Sequence, residues 1–192
     1  MAAKPPGVPA FFHALSTPRR LLALAAIALV SGAAMLPAMK TMADRGDSAI
    51  AFETAGGVQR SEEIVTAWGE AGKRAAWWQL ALDTPFLLAY GLFAAAACSA
   101  VARRARAAGK PRLLRAATAL VWLGPFAALA DFVQNASLAL ILSGHVVQPW
   151  PRISAICAPA IVALEATALA FALVGWIATR QAASTASVSL DP

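Results

Sequence analysis

The chain alternates between long apolar runs and shorter polar segments. Apolar runs cover residues 21–40, 74–102, 116–143 and 153–179. An apolar helix of about 20 residues rises roughly 30 Å, the thickness of a bilayer's hydrocarbon core. The pattern predicts an all-α fold: a four-helix transmembrane bundle with a short extracytoplasmic amphipathic segment. The four spans are linked by polar loops at 41–73, 103–115 and 144–152. Residues 1–20 read as a flexible basic tail with four prolines, and the Ser/Ala-rich 180–192 as a disordered tail. Within 41–73, Gly56-Gly57 marks a turn and Ser61 followed by Glu62 and Glu63 a helix start. Ile64 and Trp68 then share a helix face, and Gly69 is placed to end the helix.

Composition and charge sharpen this picture. Hydrophobic residues make up 59% of the chain and charged ones 14%, a bias of helical membrane proteins rather than soluble domains. The net charge of +6 does not point to nucleic acid, because the basic residues cluster beside apolar runs instead of spreading over a folded face. The segment 103–115 holds Arg103, Arg104, Arg106, Lys110, Arg112 and Arg115 with no acid, and basic loops stay in the cytoplasm. Both termini then lie inside, in a bacterial inner membrane. An alternative for the first run is a cleaved signal peptide, since a basic start, the core LLALAAIALV and a small-residue SGAA follow that pattern. The long tail before the run and its continuation to Ala38 favour a retained span.

The spans are not uniformly apolar. The second carries Gln79, Asp83 and Tyr90 near one face, with Pro85 expected to kink it beside Asp83. The third carries Asp131, Gln134 and Asn135 on one face, and the fourth Glu165. Counted from the outer ends at the helical rise, Asp83 lies roughly 13 Å deep, Asn135 12 Å, Asp131 and Glu165 18 Å and Tyr90 24 Å. A carboxylate at the centre of a bilayer costs about 2.5–3.5 kcal/mol, so such groups turn inward to a partner or a wet cavity. Asp83, Tyr90, Asp131, Gln134, Asn135 and Glu165 are the candidate ligand- or proton-binding set. Three acids close together cannot all ionise cheaply, so at least one is expected to hold a proton and donate it to a neighbour. Three uses remain open. One is a pocket that binds or passes protons or a small hydrophobic, amphipathic or cationic molecule. The second is a clasp that only fixes helix packing, and the third a membrane enzyme acting on a lipid-like substrate. Catalysis ranks below the others, and no catalytic residue is assigned.

Other chemistry is poorly supplied. His13 and His145 lie outside the spans and on opposite sides, which disfavours a bis-His haem or an intramembrane base. Cys98 and Cys157 sit near opposite ends of their spans, too far apart for a disulfide. No phosphate-loop, dinucleotide or zinc-ligand motif occurs, so no cofactor or metal is expected. Trp68, Trp77, Trp78 and Trp150 fit an outer aromatic belt, with Trp122 and Trp176 toward the inner side.

Four stretches are similar as a set to a family of small bacterial four-span membrane proteins. They are Phe52-Glu53-x-Ala55, Ala67-Trp68-Gly69-Glu70-x-Gly72-Lys73, Asp83-x-x-Phe86-x-x-x-Tyr90 and Ala130-Asp131-Phe132-x-Gln134-Asn135. The resemblance covers most of residues 52–142 and implies architecture and site position. The chain departs from the pattern with Gln134 in place of Glu, and with Glu165 in the last helix where the family often carries Lys. The bilayer is the expected partner. Four helices without an internal repeat make a homodimer the expected form for any transport role. A phosphatase reporter fused within residues 103–115 is expected to stay inactive in intact cells; an active fusion would overturn this topology.

Overall fold

Prolines and short polar caps set the helix starts. The computed structural model describes residues 7–188, with side chains to 180. The first helix, α1, is Ala10–Leu15. Proline opens α2 (Pro18–Ala43) and α5 (Pro111–Leu120), where the missing N–H would lack a helical partner anyway. The short α3 (Ala49–Glu53) is capped by the Ser48 side chain, which accepts from the Ala51 N–H. Next come α4 (Val58–Ala107), α6 (Leu123–Leu142) and α7 (Trp150–Val188). Four helices are long and apolar enough to cross a membrane: α2, α4, α5 continued by α6, and α7 as far as Arg180. Only 11% of the apolar window of α2 is buried, so its apolar side chains are arranged for a lipid solvent rather than a protein core.

The ends depart from expectation. Residues 10–15 are helical, and α7 continues to Val188. Residues 1–6 and 189–192, the extremes of the two expected tails, lie outside the described residues. Within α4, helical backbone continues through Pro85. The interruption is at Gly69, with φ of 57° and ψ of −166°, a conformation open to a residue without a Cβ. Gly69 thus ends the amphipathic helix, as the sequence suggested, and the helix of the second span follows it.

The chain packs as two units, which it enters alternately along α2, α4, α6 and α7. Unit 1 comprises residues up to 24, 91–126 and from 164 onward. Its core is small: Ala94, Ala95, Cys98, Val101, Ala117 and Ala168 are nearly or wholly buried. A Cβ on Gly124 would strike the Gly91 carbonyl, and one on Gly175 would come within 2.6 Å of Val101 Cγ1, so the backbones meet through absent side chains. Helix α1 docks here because Phe12 is buried edge-on against Trp122, with ring centroids 5.6 Å apart. His13 Nδ1 lies 2.9 Å from Ser99 Oγ, and Arg103 donates to the Ser16 carbonyl at 2.6 Å. Burial first, and then Arg103 and Arg106, hold the His13 imidazole below its usual pKa. Trp176 stacks under Arg180, whose guanidinium is 3.9 Å from the ring centroid.

Unit 2 comprises residues 25–90 and 127–163. Its core gathers Met42, Phe52, Ile64, Trp68, Leu138 and Ile141. The amphipathic segment before Gly69 therefore turns its Ile64–Trp68 face onto protein. Trp68 is not a belt residue: it is fully buried, lies edge-on to Phe52 at 5.0 Å, and donates its indole N–H to the Asp47 carbonyl at 2.7 Å. A fully covered ring gains more from packing than an interfacial one, and Asp47 satisfies its polar atom. Trp77 and Trp78, by contrast, are exposed. Ser154 and Gln148 tie the opening of α7 and the loop before it to the Glu53 and Gly56 carbonyls, at 2.8 and 3.2 Å.

Trp68→Ala is expected to cost about 3–5 kcal/mol by opening this core. Trp68→Phe, which keeps a ring and loses the indole donor, should cost about 1 kcal/mol. Unfolding titrations in mixed micelles would check both; a Trp68→Ala protein as stable as wild type would return the ring to the lipid interface.

Candidate functional site

Helical spacing assembles the polar residues of unit 2. On α4, Gln79, Asp83 and Tyr90 fall near one face; on α6, Asp131 and Asn135 lie one turn apart. The two helices pair antiparallel, so the earlier residue of α4 meets the later one of α6. The Asn135 amide donates to Asp83 Oδ2 at 2.5 Å, and the Tyr90 hydroxyl donates to Asp131 Oδ2 at 2.8 Å. The Asp83 and Asp131 carboxyls are close neighbours in this arrangement. Tyr90 is held by Phe86, edge-on at 5.1 Å, and Phe86 lies against the open side of Gly32 on α2.

The network continues outward. Gln79, one turn before Asp83, donates to Glu53 Oε1 on α3 at 3.3 Å. Glu53 had no place in the sequence-based site. It appeared only within the Phe52-Glu53-x-Ala55 stretch of the resemblance. Its one local signal is the apolar Phe52 beside it, whose burial anchors α3 against α4. The loop's ion pairs use other acids, Asp47 and Glu63 with Arg60, Asp44 with Lys40, and Glu70 with Lys73. A cavity of about 10 Å³, enough for one water, borders Glu53 and Gln79 and is otherwise lined by apolar side chains such as Met42 and Leu138.

Of the six expected residues, Asp83, Tyr90, Asp131 and Asn135 form this network. Tyr90, Asp131 and Gln134 are buried, whereas Asp83 and Asn135 are half-buried. Gln134 lies on the face that carries Asp131. Glu165 is half-buried on α7 and belongs to unit 1. Among the described residues no group of three or more His, Cys, Asp or Glu is placed to hold a metal ion.

Four long apolar helices and a buried Tyr90–Asp131 contact make this a multi-pass, all-α membrane protein with polar chemistry inside it. No known protein family, no curated protein and no solved structure matches the chain.

Glu53, which lies outside the spans, is pushed up from an ordinary 4.5 to about 7. Burial is the main cause and the charge of Asp83 the second, while the Gln79 hydrogen bond opposes both. The folded state thus holds this proton more tightly than the unfolded chain. Its contribution to stability is complete below pH 4.5 and is lost as pH rises through about 7. Glu53→Gln is expected to flatten that part of the stability–pH curve; a wild-type and variant pair differing by a constant amount at every pH would contradict it.

Proposed function

We propose that the protein works by reversible protonation of the polar ladder that runs from Glu53 through Gln79, Asp83 and Asn135 to Asp131 and Tyr90. The observation that carries this reading is a pair of neighbouring carboxyls, Asp83 bonded to Asn135 and Asp131 to Tyr90, within helices suited to span a bilayer. Two carboxyls at close quarters cannot both ionise cheaply, so such a pair is suited to taking up and giving back a proton. The ladder is graded. Glu53 sits at the membrane-surface end, beside room for a single water, and Tyr90 lies about 16 Å further along α4 than Gln79. A cavity of that size suits water-borne protons, rather than the amphipathic or cationic organic molecule that the same acids could otherwise attract.

In this reading residues 103–115 face the cytoplasm of a bacterium, both termini lie inside the inner membrane, and the Glu53 end opens outward. The spans are residues 21–40, 74–102, 116–143 and 153–179, with 41–73 and 144–152 outside. Asp83 and Asp131 hold the exchangeable proton, while Asn135, Tyr90 and Gln134 orient them. Glu165 is a further acid, on α7. A homodimer and the four-span bacterial family fit this arrangement. A second reading, the structural clasp, draws support from the satisfied side chains: among the described residues no buried side-chain polar atom lacks a hydrogen-bond partner. Two satisfied polar pairs at around 0.6 kcal/mol each would help to fix the α4–α6 register even without titration.

Infrared difference spectra of the purified protein between about pH 5 and pH 9 separate the two readings. In a Glu53→Gln background, which removes that side chain's own titration, a protonated-carboxyl band that changes with pH, and is lost on adding either Asp83→Asn or Asp131→Asn, is expected. A band unmoved across the range, with variants that only melt earlier, would leave the clasp.

A further inference from the structure

Away from the ladder, unit 2 carries an open groove of about 550 Å³ between α2 and α4. Ala34, Pro37 and Ala38 line one wall, and Ala75, Trp78 and Leu82 the other. The small residues of α2 leave the trough vacant, and Trp78 stands 66% exposed at its side. Thr41 and Arg74 occupy one end, where the apolar stretch of both helices gives way to charged sequence. Thr41 spends its hydroxyl proton on the Pro37 carbonyl at 2.9 Å.

The charges at that end are unevenly used. Lys40 pairs with Asp44, and Lys73 reaches Glu70 at 3.4 Å. Among the described residues, Arg74 makes no ion pair or side-chain hydrogen bond, and neither does Arg45, whose Cδ lies 3.5 Å from where a Cβ on Gly72 would stand. Two guanidiniums thus remain for an outside anion at the level of the lipid headgroups. Below Arg74 the groove follows α4 to Leu82, about 12 Å of apolar trough.

The geometry points to a binding site for one anionic phospholipid, its headgroup phosphate on Arg74 and one acyl chain laid along the α2–α4 groove past Trp78. Guanidinium is the side chain best matched to phosphate oxygens, which it can meet through two parallel N–H donors. A neutral lipid brings the same phosphate but also its own ammonium, which weakens the attraction. Charge therefore selects among lipids, and the apolar trough holds whichever is selected. This site shares no residue with the proton ladder and does not depend on it.

The test is native mass spectrometry of the full-length protein, stripped of lipid and given equal amounts of phosphatidylglycerol and phosphatidylcholine. One phosphatidylglycerol per chain is expected, preferred about fivefold, the factor carried by ~1 kcal/mol per basic residue near an anionic headgroup. Arg74→Gln should bring the two lipids near parity, Arg74→Lys should keep part of the preference, and Ala38→Trp should lower retention of both. Arg152→Gln serves as a control for charge alone and should change nothing. Equal retention of the two lipids by wild type would overturn the site, as would a preference unchanged in Arg74→Gln. Should Arg74→Gln fail to fold, bromine-labelled lipids decide the matter in wild type. Brominated phosphatidylglycerol should quench the fluorescence that Trp78→Phe removes more strongly than brominated phosphatidylcholine does. Equal quenching would make the groove ordinary bilayer contact.

Discussion

A carboxyl group in hydrocarbon must find a hydrogen-bond partner, and in unit 2 that requirement sets how α4 and α6 meet. Desolvation of a lone carboxylate exceeds what any single nearby apolar contact returns, so the polar partners dictate register and the apolar side chains fill around them. The spacing of the pairs shows how closely. From Asp83 to Tyr90, α4 rises about 10.5 Å, whereas from Asp131 to Asn135 α6 descends only about 6 Å. The difference is bridged by tyrosine. Helical side chains lean toward their own N-terminus, and tyrosine is long enough for its hydroxyl to reach back to Asp131 from beyond the level at which the backbones would match. A shorter residue at position 90 would leave Asp131 out of reach.

Unit 1 is held together on a different principle. Its helices come close because Gly91, Gly124, Gly175 and a run of alanines offer almost nothing between backbones. In lipid, where apolar burial provides little net drive between helices, dispersion at short range takes over that task. Side-chain hydrogen bonds in unit 1 reach backbone carbonyls and the N-terminal helix: Arg103 and Ser99 hold the α1 segment, and Lys110 donates to the Ala178 carbonyl. One chain thus uses polar clasps in one unit and close backbone approach in the other.

The four spans, the amphipathic segment and the shared face of Asp83, Tyr90, Asp131 and Asn135 were legible in the sequence, because each depends on helical periodicity and hydropathy, which are local. Glu53 was not, because its role depends on α3 folding against α4, a contact across 26 residues that no period records. Trp68 was misplaced for a related reason: a tryptophan at the edge of a span suits an interface equally well until its neighbours are known. The helical Ala10–Leu15 escaped notice because six residues are too few to show a period, and only Trp122, far along the chain, makes Phe12 worth burying. The end of the amphipathic helix at Gly69 was legible too, because a glycine free to take positive φ is a local signal.

The Trp68 core has a bearing on the order of events during synthesis. Its two sides are far apart in the chain, with Ile64 and Trp68 before the long second span and Leu138 and Ile141 at the end of the third. When the amphipathic segment first emerges, Met42 and Phe52 are already at hand, but the Leu138–Ile141 side of its cover has not been translated. Two further spans must be threaded before that cover is complete, so the segment waits half-sheltered, at a stage when assembly helpers or the lipid surface itself could hold it. The part of the fold that looks most like a simple loop is therefore among the last to become native, and damage to later helices would be felt first there.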